Sequence, residues 1–100
     1  MSEWVYIQAD PSEQLMQLHS FTIVKKQATG SVTFAITVKE YAVPPPGQRV
    51  RFFAEADKQV NQKNGPFVPC GWGNNLFSAL GDCVRLIRQF PYEEEGSSAA

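Results

Sequence analysis

Histidine is nearly absent from this chain: His19 is the single one in 100 residues, and cysteine occurs only at Cys70 and Cys83. A nucleophilic enzyme of the Cys/His or Ser/His/Asp kind needs a base within reach of its nucleophile, and zinc needs closely spaced nitrogen or sulfur ligands. One imidazole and two separated thiols without CxxC spacing supply neither, and no Asp/Glu cluster falls within a structured element. No catalytic residue, metal site or cofactor is therefore assigned, and the chain is read as a non-enzyme. Basic residues are missing before Lys25, so no charged region precedes an apolar stretch as in a secretory signal. Long apolar runs are missing too, far short of the ~18–20 residues that span a bilayer. These absences point to a cytoplasmic protein with reduced thiols and no membrane partner.

What is present is a core. Hydrophobic residues make up 43% of the chain and aromatics 12%, too much apolar content for a disordered segment. A chain this short builds one core, so residues 1–92 are expected to form a single domain, followed by a disordered acidic and small-residue tail over 93–100.

Period-two alternation dominates the middle of the chain. Val32, Phe34, Ile36 and Val38 alternate with Thr33, Ala35, Thr37 and Lys39; Val50, Phe52, Ala54 and Ala56 alternate with Arg49, Arg51, Phe53 and Glu55. With Phe21–Lys26 before them, a tight turn at Ala28–Ser31 and a proline-rich connection at Val43–Gly47, they predict a three-stranded antiparallel meander. Trp4–Ile7, aromatic and β-branched, is expected to add a fourth strand. Asp10-Pro11-Ser12-Glu13 has the pattern of a capping box and predicts a short helix through Leu15, Met16 and Leu18, ending near His19. Asp57–Asn64 reads as a mobile loop. Leu76, Phe77, Leu80, Cys83, Val84, Ile87 and Phe90 recur at helical spacing, so a C-terminal amphipathic helix capped by Asn74 or Asn75 should cover one sheet face. The fold class is α+β: a three- to four-stranded antiparallel sheet, the C-terminal helix packed on it, and a short N-terminal helix.

The formal net charge of −1 is a cancellation. Residues 20–53 carry Lys25, Lys26, Lys39, Arg49 and Arg51 against Glu40, between two acidic ends. If the apolar alternation faces the helix, Lys26, Lys39, Arg49, Arg51 and Phe53 share the opposite face. Cations that track phosphates beside a ring that stacks on a base would suit single-stranded nucleic acid. A second candidate is Gly71-Trp72-Gly73-Asn74, where two glycines before a helix start can turn N–H groups toward a small anion. The leading reading is a small binding module whose partner is another protein or a second copy of itself, engaged through an uncovered sheet edge. The alternatives are the nucleic-acid face and, third, the anion loop.

The order helix–strand–strand–strand–helix from Asp10 to Phe90 is similar to that of a double-stranded-RNA-binding domain. That family carries lysines at the start of its last helix, and here the position reads Gly73-Asn74-Asn75-Leu76-Phe77, so phosphate clamping is not implied. Pro45-Pro46-Gly47-Gln48-Arg49-Val50-Arg51-Phe52-Phe53, Cys70-Gly71-Trp72-Gly73 and Phe90-Pro91-Tyr92-Glu93 together look like a family of small hypothetical proteins from Burkholderia-type bacteria. That resemblance implies a bacterial source and no activity.

Overall fold

A computed structural model describes residues 3–28, 30–61 and 64–93. The chain is α+β, with strands β1 (Met16–Gln27), β2 (Gly30–Tyr41), β3 (Phe52–Ala56) and β4 (Cys70–Gly73), then helix α1 (Leu76–Gln89). The four strands form one antiparallel meander in chain order. β1 and β2 pair over their whole length without a bulge, from Met16 opposite Tyr41 to Gln27 opposite Gly30. Gly30 sits at φ +128°, a backbone conformation side chains avoid, and this closes the hairpin tightly.

The alternation in β2 and β3 works as expected. Phe34, Ile36, Val38, Ala54 and Ala56 are buried on one face, and Ala79, Cys83 and Ile87 of α1 close over them. Asn75 is the N-cap, its side chain accepting from the Ser78 amide at 2.8 Å.

Five local expectations are corrected. Trp4–Ile7 is no strand; Glu3–Ile7 coil into a short 3-10 helix with Val5 buried. β-propensity expresses packing on a pleated surface, and among the described residues no strand pairs with this segment. Residues 10–20 are not helical. The Asp10 carboxylate instead accepts from the Ser12 amide and hydroxyl, both at 2.9 Å, and the chain extends into β1 from Met16. A two-turn helix is marginal in water, whereas five more residues of β1 each gain a partner on β2. The helix–strand–strand–strand–helix order is thereby lost. β3 begins at Phe52 rather than Arg49. Cys70–Gly73 is an edge strand rather than a loop, so the fourth strand comes from the other end of the chain. Finally, the first part of the Asp57–Asn64 connection is anchored: Val60 is fully buried and bridges Phe67, and the Asn61 amide bonds the Pro91 carbonyl at 2.8 Å, while residues 62 and 63 lie outside the described residues. The tail expectation, beyond Glu93, lies outside the described residues.

Candidate interaction surface

The sheet has one face under α1 and one turned away, and strand register assigns every residue to one or the other. Leu18, Lys39, Phe53 and Trp72 stand in one cross-strand row on the face away from the helix. Phe53 and Trp72 meet at 4.5 Å between ring centroids, Tyr41 stacks on Trp72 at 6.4 Å, and the Lys39 ammonium lies 6.0 Å from the Phe53 ring centroid. This aromatic cluster is larger than the lone Phe53 that alternation places there. Trp72 joins it because Cys70–Gly73 is a strand, and Tyr41 because β2 runs to its end. Tyr41 is buried although it is outside the core beneath α1.

The expected basic residues do not converge. Lys26 is opposite Ser31 at the hairpin end, and Lys39 is eight residues further along β2, about 26 Å at strand rise. Arg49 is exposed in the β2–β3 connection. Arg51 turns back: its Nε donates to the Tyr41 carbonyl at 2.8 Å, and its Nη2 is 3.9 Å from Glu40 Oε2. Of the five, Lys39 and Phe53 face each other across β2 and β3. Lys25, counted in the basic block, belongs to the other face. Its ammonium donates to the carbonyls of Ile87 and Phe90 at 2.7 and 2.6 Å, closing the C-terminal end of α1. Burial there pulls its pKa below the ordinary lysine value.

Gly71 and Gly73 serve packing. A Cβ on Gly71 would stand 2.6 Å from the Ala79 carbonyl oxygen, and one on Gly73 would stand 2.6 Å from Ser78 Cβ and 2.7 Å from the Ala79 amide nitrogen. Their lack of side chains lets α1 lie directly on β4. Asn74 is exposed between strand and helix, and the first turn of α1 already has the Asn75 cap.

His19 and the two cysteines are placed by the fold. His19 is in β1, not at a helix end, with Nε2 2.9 Å from Glu40 Oε1. Cys70 and Cys83 are free thiols; Cys83 is buried and hydrogen-bonds the Pro69 carbonyl. Burial, reinforced by Cys70 and Glu55 nearby, pushes the Cys83 thiol up to about 12. Among the described residues no three His, Cys, Asp or Glu side chains gather as metal ligands, and no helix is long and apolar enough to cross a membrane.

The longest stretch of open bonding capacity is the outer edge of β1, twelve residues against four on the β4 edge. The Tyr41 amide bonds Arg51 and the Ala35 carbonyl accepts from Asp57, so odd residues of β2 turn toward β3, whereas the Ala42 amide bonds Leu15 on the β1 side. Antiparallel alternation then aims the N–H and C=O groups of odd β1 residues at β2 and those of Leu18, Ser20, Thr22, Val24 and Lys26 outward. No other segment among the described residues bonds them. Leu18 and Val24 are 58% and 57% exposed on the same strand. The sequence anticipates an open edge in kind but not its length, since a helix is expected over Met16–Ser20. A signal for the longer strand is nonetheless present in the alternation of Met16 and Leu18 with Gln17 and His19, although it falls on the opposite parity to the inward Phe21 and Ile23.

Comparison of the chain with protein-family models, with curated proteins and with solved structures finds no match.

Proposed function

We propose that the chain is a non-enzymatic binding module that accepts an extended protein segment as a fifth strand along β1. The carrying observation is the edge itself: twelve residues, unbulged and without proline, with alternate backbone groups unbonded. Edges of this length are ordinarily blunted by bulges, prolines or inward charges, because they template pairing with another chain. Strand addition draws affinity from main-chain bonds and specificity from alternate side chains, here Leu18 and Val24. Free thiols fit a reducing compartment such as the cytoplasm.

The test uses a synthetic peptide of residues 16–27 as the added strand, with hydrogen exchange read on the labelled protein. The amides of Leu18, Ser20, Thr22 and Val24 should become protected, and Thr22→Pro should abolish this. Thr22 donates outward, so proline leaves the β1–β2 ladder intact. Absence of protection in β1 at millimolar peptide, with the protein dilute enough for Ser20, Thr22 and Val24 to exchange fast on their own, would overturn the reading. The Phe53–Trp72 pair beside Lys39 favours the second reading, single-stranded nucleic acid. Shifts at Lys39, Phe53 and Trp72 on adding short DNA or RNA, fading with salt, would establish that one instead.

A further inference from the structure

Resting on the β1-edge reading, we infer that the occupant of this edge is a second copy of the chain, paired antiparallel about a twofold axis through Phe21 so that two four-stranded sheets become one. The register follows from the strand. Only even-numbered residues of β1 turn their backbone groups outward, so across a symmetric interface even residues must bond even residues. The twofold axis must therefore pass through a residue and not between two. Placed at Phe21, it sets Leu18 opposite Val24 of the second copy, and by symmetry Val24 opposite Leu18. These are the two large apolar side chains that β1 leaves more than half exposed. Ser20 then meets Thr22, and Phe21, half-buried at the rim of its own core, meets its own copy in a non-bonded pair where side chains approach closest.

Charge is compatible with this register. Lys25 and Lys26 lie near one end of β1 and face Gln17 and Met16 of the other copy, so no like charges oppose each other within β1. Moving the axis one residue toward the hairpin sets Leu18 against Lys26, and one residue the other way sets it against Thr22. The axis at Phe21 alone pairs the two exposed apolar side chains with each other.

Sedimentation equilibrium of the full chain tests this, with charge exchange across the predicted pair. Leu18→Glu and Val24→Lys should each weaken the dimer by about tenfold, since each disrupts two cross-strand pairs. Combined in one chain, they should restore the dimer to within about threefold of wild type, because each introduced carboxylate then faces an introduced ammonium of the other copy. Within one chain positions 18 and 24 are six residues apart on the strand, about 20 Å, so rescue cannot arise inside a monomer. A chain that stays monomeric at millimolar concentration overturns the inference, and peptide protection of β1 would then leave the edge reading standing. A dimer that Thr22→Pro dissociates but the double variant does not rescue overturns the Phe21 register while retaining β1 as the interface.

Discussion

Lys25 shows how a residue's role depends on the face it occupies. Its neighbour Lys26 points to solvent, while Lys25, one position earlier, stands over the end of α1 and bonds two terminal carbonyls. Lys25→Met should lower unfolding free energy by roughly 2 kcal/mol, the scale of lost charge-assisted bonds to carbonyls left without partners, and urea denaturation measures this. Asp57 carries a pH signature. Burial alone would raise its pKa, but hydrogen bonds from Lys58 and the Ala35 amide outweigh that and hold the carboxyl below its usual value. Its stabilisation is full above the unfolded-state pKa of about 3.9 and is lost as pH falls through the lower folded value. Asp57→Asn should therefore flatten the loss of stability at the acid end of a pH series. The thiols differ as well: with Cys83 fully buried and its pKa raised, an alkylating reagent should modify Cys70 first and Cys83 only on unfolding.

At the scale of elements, the contact between β4 and α1 sets the closest tolerance in the fold. Gly71→Ala should cost roughly 2 kcal/mol because its Cβ would meet helix backbone that cannot yield without shifting α1. Gly81 lies within α1 with open space where its Cβ would go. Gly81→Ala should therefore stabilise the protein by about 0.5–1 kcal/mol, so thermal unfolding of the two variants should move in opposite directions. β1 illustrates a different competition. Leu15, Met16 and Leu18 fit a helical stripe as well as a strand, and the Asp10–Glu13 pattern suits a cap. Asp10 caps a turn instead, and the strand prevails because β2 is long enough to pair with Met16 and its successors.

For the whole molecule, the long hairpin determines shape. The chain measures 53 × 21 × 17 Å with a radius of gyration of 16.0 Å, against about 13 Å for a compact 100-residue domain. β3 pairs with β2 only from Ile36 to Glu40. Beyond it, Asp57 and Lys58 bond the exposed side of Ala35 and Thr33, and Gln27 exchanges two hydrogen bonds with the Tyr92 backbone. The stretch of β2 that β3 leaves uncovered is thus bonded in part by the following connection, and the long β1 edge is left open. Amide exchange in dilute solution should read this as alternation along β1: slow at Phe21, Ile23 and Lys25, fast at Ser20, Thr22 and Val24.

Local pattern sufficed for features that depend on a residue and its near neighbours. The inward series of β2 and β3, the helix from Leu76 with its asparagine cap, the Gly30 turn and the α+β class are all written in periodicity and side-chain chemistry. Tertiary structure decided the rest, because pairing and close approach join residues far apart in the chain. Whether Met16–Ser20 is helix or strand depends on the length of β2, and whether Gly-Trp-Gly is loop or strand depends on β3 and on a helix that tolerates no side chain there. The division of Lys25 from Lys26 and the assembly of Tyr41, Phe53 and Trp72 follow from those pairings, as does the open edge that ends the sheet at β1.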